Sequence, residues 1–183
     1  MPTARLFFAL DVPKPTLDAL AETQRTLRPF AERFEPRWTR PEQMHLTLKF
    51  LGDVATESIG ELSQLVAASE APLAAFERVA TFPDTRRARV LVVELKPSDE
   101  RLADMARQLD ERAAAFGVAR ERRPFRPHLT LARFKQPGNA TFLLESAVLP
   151  AHVVRFSVLR LYQSTRGQYV PLASAQLAGT SGE

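Results

Sequence analysis

Apolar positions recur along this chain with two different periods, and the switches between them mark its elements. Arg5-Leu-Phe-Phe-Ala-Leu-Asp11 is a short apolar run that ends at Pro13, the pattern of a first strand. Leu17, Leu20, Leu27, Ala31 and Phe34 then recur close to the 3.6-residue period behind Thr16, a side chain able to cap a helix, so a helix is predicted there. Met44 to Leu51 alternates and closes on Gly52-Asp53, which predicts a strand and a turn. Ile59, Leu62, Leu65 and Val66 predict a second helix opening near Thr56 or Ser58. Phe76 to Phe82 and Arg89 to Leu95 read as two strands around a Pro83-Asp84 turn. Ser98 is placed to cap a third helix, whose stripe Leu102, Met105, Leu109, Ala113 and Phe116 stops at Gly117. Three more strands are expected at about 127–134, 153–163 and 168–173.

This order mixes helices with hairpin-connected strands, and it predicts an α+β fold with largely antiparallel sheets rather than a doubly wound parallel one. Nothing reads as a linker, so residues 1–177 are expected to form one domain, followed by a loose, small and polar tail over 178–183. A chain of 183 residues buries about two thirds of its unfolded surface without a metal or disulfide staple. Its 45% apolar and 25% charged residues exclude collagen-like, coiled-coil and wholly disordered readings. There is no cysteine, which removes disulfide scaffolds, Fe–S centres and thiol nucleophiles and accords with a reducing cytoplasm, the expected location. The longest apolar runs, such as Leu6 to Leu10, fall far short of the ~20 residues of a membrane span, and the N-terminus lacks a signal-peptide pattern. Lysine occupies four positions (Lys14, Lys49, Lys96, Lys135), so 21 of the 25 basic residues are arginine. That bias suits phosphate, which a planar guanidinium grips with two parallel hydrogen bonds, and it equally follows from arginine-rich codon usage.

The chemistry is concentrated in a repeat. Arg40-Pro-Glu-Gln-Met-His-Leu-Thr-Leu-Lys-Phe50 and Arg123-Pro-Phe-Arg-Pro-His-Leu-Thr-Leu-Ala-Arg133 share Arg-Pro, a short spacer and His-Leu-Thr-Leu. They hold two of the three histidines, 83 residues apart, which suggests two related lobes with one copy each. On a strand, His45 and Thr47 share one face and Leu46 and Leu48 the other; His128 and Thr130 repeat this against Leu129 and Leu131. If the lobes are related by a two-fold axis, the polar faces look at each other across a cleft. Two imidazoles with an ordinary pKa of ~6.5 are the minimum equipment for hydrolysis without metal, one accepting a proton from water and one donating to the leaving oxygen. The threonine hydroxyls can orient them or bind a substrate oxygen, and Arg133 supplies the positive charge that an anionic ester requires. A zinc site would need three or four ligands, and only His152 or scattered carboxylates remain to supply them.

These two motifs, the opening Arg5-Leu-Phe-Phe-Ala-Leu-Asp-Val-Pro13 and the closing Arg166-Gly-Gln-Tyr-Val-Pro-Leu172 resemble the two-histidine (2H) phosphoesterases. Within them the likeness is to the bacterial and archaeal RNA 2′,3′-cyclic phosphodiesterases, a family also named 2′-5′ RNA ligases. It covers nearly the whole chain in order. It implies a two-lobed, pseudo-symmetric domain with the histidines in a central cleft, and a monomeric enzyme that needs no cofactor and no metal. The implied reaction is hydrolysis of a terminal 2′,3′-cyclic phosphate on RNA or a nucleotide to a 2′-phosphate. The resemblance implies His45 as proton donor to the ribose 3′ oxygen, His128 as proton acceptor from water, and Thr47, Thr130 and Arg133 as substrate-binding residues. It also implies that Phe50 stacks on the terminal base. Strict alternation puts Phe50 and Arg133 on the leucine face, so these roles require a bulge, a strand end or a strong twist. The same histidines could run the reverse transesterification, a 2′-5′ ligation, and an RNA-end-binding module without turnover is the alternative from another class. Trp38 is expected as a packing anchor and His152 as a surface residue outside the repeat. Arg86, Arg87 and Arg89, with Arg120, Arg122, Arg123 and Arg126, form two basic clusters that either track an RNA backbone or are plain solvated charges. Tyr169 carries no assigned role.

Overall fold

The computed structural model describes residues 1–179. Along the chain run β1 (Thr3–Asp11), α1 (Lys14–Ala31), β2 (Pro36–Trp38), β3 (His45–Ala55), α2 (Ile59–Ser63), β4 (Leu73–Phe82) and β5 (Ala88–Pro97). They are followed by α3 (Arg101–Ala113), β6 (His128–Gly138), α4 (Thr141–Glu145), β7 (Val153–Arg155), β8 (Val158–Thr165) and β9 (Gln168–Gln176). The strands form two sheets, in the orders β3-β1-β8-β9 and β2-β6-β5-β4-β7, and every strand pair is antiparallel. The α+β, antiparallel expectation holds. Both histidine motifs open a strand, one in each sheet.

Where local expectation and structure part, a tertiary contact has overridden a local signal. Thr16 was expected to cap α1, but the helix starts at Lys14, with Pro15 in the first turn where its missing N–H costs nothing. The buried Thr16 hydroxyl instead bonds His152 Nε2 at 2.8 Å. Ser98 does not cap α3. Its N–H donates to the Leu73 carbonyl, and the Asp99 carboxylate accepts the N–H of Arg101 at 2.9 Å. The α3 stripe is buried at Leu102, Leu109 and Ala113, and the helix stops as expected at Gly117, whose φ of 77° an L side chain rarely adopts. The second helix ends at Ser63, and the Leu65 and Val66 N–H groups make tight turns onto Leu62 and Ser63. The strand expected over 153–163 is two strands in different sheets. Between them Phe156 is fully buried and its N–H donates to the Pro72 carbonyl, which turns the chain inward. Ala178, expected to begin a loose tail, pairs with the 69–71 segment through two backbone hydrogen bonds of 2.7 and 2.8 Å; residues 180–183 lie outside the described residues.

The long helices are crossed between the lobes. From the first half, α1 lies against the second sheet: Leu20, Leu27 and Ala31 are buried, and Gln24 Nε2 donates to the carbonyls of Leu131 and Thr39, both at 2.9 Å. From the second half, α3 lies against the first sheet, joined to it by the Lys49 Nζ–Asp110 contact of 2.7 Å. Burial of these apolar faces welds the sheets into one hydrophobic cluster, which supplies the main driving force of folding. No helix among the described residues is long and apolar enough to cross a membrane.

Candidate active site

The strands β3 and β6 repeat more than four letters of sequence. In both, His is half-buried, Leu buried, Thr half-buried, Leu buried and the next residue (Lys49 or Ala132) buried as well, after which Phe50 or Arg133 is exposed. Simple alternation breaks at the doublet of buried residues. In β3 the partner strand β1 pairs Ala9 with Thr47 but Phe8 with Lys49, so Leu48 is one residue too many. In β6 the partner β5 pairs Val92 with Thr130 but Leu91 with Ala132, so Leu131 is the extra residue. Each slip is a β-bulge, and an inserted residue returns everything after it to the opposite face. Phe50 and Arg133 therefore join the histidines, as the resemblance required and strict alternation denied. Phe50 is 61% exposed, and the two residues line one cleft with His45, Thr47, His128 and Thr130.

Different anchors hold the two bulges. The Leu131 carbonyl accepts the Thr39 N–H and Gln24 Nε2, both at 2.9 Å. In β3 the doublet residue is Lys49, whose ammonium reaches Asp110 Oδ1 and the Ala119 carbonyl, each at 2.7 Å. Burial alone would raise the Asp110 carboxyl. The hydrogen bonds from Lys49, the Glu121 N–H and Arg120 outweigh burial and hold it at about 2.

Both imidazoles are oriented by the same local device. His45 Nδ1 lies 2.8 Å from the Gln43 carbonyl and His128 Nδ1 lies 2.7 Å from the Arg126 carbonyl, two residues upstream in each case. A carbonyl only accepts, so Nδ1 carries the proton and the neutral ring keeps its Nε2 lone pair for chemistry. Their surroundings differ. His45 sits among Phe7, at a ring distance of 4.8 Å, and Tyr169, which meets it edge-on at 5.1 Å. Burial pushes His45 down to about 4, opposed by the Gln43 carbonyl and the nearby Asp11 and reinforced by Arg133 and His128. His128 is also lowered, first by burial and then by Arg126 and Arg133, against the Arg126 carbonyl and Glu94. Phe82 meets its ring edge-on at 4.8 Å. Glu94, directly opposite His128 in the sheet, bonds Arg78 and Arg126, and these bonds hold its carboxyl below the usual range although burial alone would raise it.

The cleft has a volume of about 670 Å³. Besides Arg133 it is lined by Arg5, Arg37, Arg40 and Arg166, and among the described residues by no aspartate or glutamate. Among the described residues no group of three His, Cys, Asp or Glu is placed to hold a metal ion. The basic clusters singled out from sequence lie elsewhere: Arg120 binds Asp110, Arg126 binds Glu94 and Arg123 faces Glu121. Trp38 packs against the core as expected and also forms part of the cleft wall, with the Arg28 guanidinium 4.9 Å from its ring centre. His152 stays outside the cleft, bonded to Thr16 and 5.0 Å from the Phe76 ring. Sequence reasoning missed Phe7, Gln43 and Tyr169. Gln43 holds His45 through its carbonyl, and its side-chain amide donates to the Gly167 carbonyl at 2.8 Å, tying the motif to the β8–β9 turn. Its position two residues before the histidine, matched by Arg126 before His128, was the available signal.

A model of the LigT like Phosphoesterase family matches the chain twice, over residues 10–92 and 93–171, one match for each motif. The RNA 2′,3′-cyclic phosphodiesterase of Methanocaldococcus jannaschii is 28% identical over 134 residues, 72% of this chain and 72% of that protein. Its counterpart of the same name from Escherichia coli is 33% identical over 135 residues, 70% of this chain and 71% of its own. Among solved structures, E. coli LigT without ligand superposes with a TM-score of 0.73 at 26% identity, covering 97% of this chain and 99% of that one. The same protein has been solved in complex with 3′-AMP, with a TM-score of 0.65, 26% identity and the same coverage. With the paired motifs, the doubled bulge and both halves matched, this chain belongs to the LigT-like family of 2H phosphoesterases.

Proposed function

We propose that the protein hydrolyses the terminal 2′,3′-cyclic phosphate of RNA to a 2′-phosphate by acid–base catalysis between His45 and His128. The observation that carries this reading is the matched pair of imidazoles. Each has Nδ1–H committed to a carbonyl and, among the described residues, no partner on Nε2, in a cleft lined by five arginines and by none of the described carboxylates. Such a cleft attracts an anion and gives it two proton-transfer groups. The relatives are named for this reaction, and 3′-AMP, the ligand solved with E. coli LigT, is a ribonucleotide carrying its phosphate at a ribose hydroxyl.

Arg133 and the Thr47 and Thr130 hydroxyls hold the cyclic phosphate between the rings, and Phe50 offers an exposed face for the terminal base. His128 Nε2 takes a proton from water, whose oxygen attacks phosphorus. The P–O3′ bond breaks, and O3′ takes a proton from His45 Nε2. The 2′-phosphate leaves with a free 3′ hydroxyl, and solvent returns the imidazoles to their starting states. Burial lowers the pKa of His45, so its protonated form is a stronger acid than a free imidazolium, which suits donation to a ribose oxygen. The negative phosphate between the rings offsets the Arg133 charge and raises both imidazoles toward protonation.

The test is incubation with an oligoribonucleotide ending in a 2′,3′-cyclic phosphate, in EDTA, with identification of the product terminus. A 2′-phosphate and a rate that drops about 10²–10⁴-fold in His45→Ala and in His128→Ala are expected. Binding without turnover would make the protein an end-binding module, and a joined product would make it a ligase.

A further inference from the structure

The cleft holds more positive charge than one phosphate needs. In the antiparallel β2–β6 pair, Arg37 stands directly opposite Arg133, so both side chains leave the same face a few ångströms apart. Both are exposed, both line the cleft, and neither has a carboxylate partner among the described residues. Like charges facing each other across a strand pair disfavour the fold unless something neutralises them. Elsewhere the chain supplies that partner: Arg78 with Glu94, Arg101 with Glu70, Arg120 with Asp110 and Arg160 with Asp11. Within the cleft Arg40 has Glu42 at 3.2 Å, whereas Arg37 and Arg133 face each other with no such partner among the described residues.

The volume points the same way. About 670 Å³ lies within the range of roughly 300–1,000 Å³ that takes a ligand of nucleotide size, and Arg37 lines that same space beside Arg133. Arg37 is too exposed to be a packing residue, and its neighbour Trp38 fixes β2 against the core. The short strand thus fixes the backbone position of Arg37 and presents its guanidinium beside that of Arg133.

We propose that Arg37 is a second phosphate site, which binds the internucleotide phosphate preceding the terminal cyclic phosphate of an RNA chain. This assignment rests on the reading of the cleft as acting on cyclic-phosphate ends. It makes Arg37 a specificity residue that favours a chain over a free cyclic mononucleotide. Its grip is electrostatic and independent of base identity.

The experiment compares kcat/KM for three substrates: a 2′,3′-cyclic mononucleotide, a dinucleotide ending in the same cyclic phosphate, and that dinucleotide with an uncharged methylphosphonate linkage. Wild type should prefer the charged dinucleotide over the methylphosphonate by about tenfold, the scale of one charge-assisted hydrogen bond in a partly exposed site. In Arg37→Gln that preference should shrink to twofold or less, because removing either partner removes the same interaction. The salt dependence of the charged substrate should flatten by about one counterion in the variant. A wild type indifferent to the linkage charge, or a preference that survives in Arg37→Gln, overturns the assignment. So does an equal loss on all three substrates, which would place Arg37 on the reacting phosphate. Failure of wild type to hydrolyse any of them would instead refute the catalytic reading and take this assignment with it.

Discussion

Replacing Asp110 by asparagine removes the charge that anchors the bulge of β3 from behind. Asp110 and Lys49 are 12% and 7% exposed at their side chains, and the carboxylate accepts hydrogen bonds from Lys49, Arg120 and the Glu121 N–H. Its pKa drops from an ordinary 3.8 to about 2 in the fold. At 1.36 kcal/mol per unit, this is about 2 kcal/mol of stability at neutral pH. A lowered carboxyl contributes above its unfolded pKa and loses the contribution as pH falls toward its folded value. The stabilisation is therefore complete above pH ~5 and fades between ~4 and ~2. Asp110→Asn should lose at least about 2 kcal/mol at pH 7, or roughly 4–8 °C in Tm for a domain of this size. The loss should approach ~3–5 kcal/mol if the Lys49 charge is left without compensation. Urea unfolding followed by far-UV circular dichroism at pH 7, 5, 3 and 2 measures this. The gap between wild type and variant should close as the pH drops. A variant within ~0.5 kcal/mol of wild type at pH 7, or a gap that stays constant down to pH ~2, would show that the Lys49–Asp110 contact does not hold the bulge.

Phe50→Ala should raise KM for cyclic-ended RNA by about 5–150-fold with a smaller change in kcat, because base stacking is worth ~1–3 kcal/mol and acts on binding. Unchanged KM and kcat would make Phe50 a bystander. Because burial lowers both imidazoles, the bell-shaped kcat/KM profile should have both limbs below the ordinary pH ~6.5, and a limb above pH ~7 would contradict the described environment. Tyr169→Ala opens one wall around His45, so the ring should titrate above its present value of about 4, moving toward ~6.5 in an NMR titration while His128 moves less. No movement of His45 would mean that Tyr169 does not shield it.

Much of this was legible from local pattern. The repeated His-Leu-Thr-Leu, the leucine faces and the antiparallel character follow from side-chain periodicity within short segments. The bulges were legible only as a demand of the resemblance. They arise from register against β1 and β5, which no residue of β3 or β6 encodes alone. The cleft arginines were missed for a similar reason: Arg5, Arg37 and Arg166 come from separate strands and turns, and only the fold gathers them. Of the arginines clustered in sequence, Arg120, Arg123 and Arg126 face carboxylates of their own and line no part of the cleft. Helix starts went wrong where the Thr16 hydroxyl was engaged by His152, and where the Asp99 carboxylate rather than Ser98 took the first-turn N–H of α3. The strand over 153–163 broke because Phe156 belongs to the interior.

The interleaving of the two sheets dictates when this protein can fold on the ribosome. In the first sheet β1 pairs on one side with β8, Leu6 lying opposite Gln163, and in the second Trp38 of β2 lies opposite Ala132 of β6. The α1 helix, made at the start, must also wait for the Leu131 carbonyl before Gln24 has its partner. At about 5–20 residues per second, translation of the intervening 150 or so residues takes roughly 8–30 seconds, during which Leu6, Phe8 and Leu10 have no complete sheet to enter. Neither motif-bearing half can be released as a finished domain, although each matches the family model separately. The second sheet has all its strands once β7 is made, but the first stays half-built until β8 and β9 follow, so the wall of the cleft that carries His45 is the last to be completed.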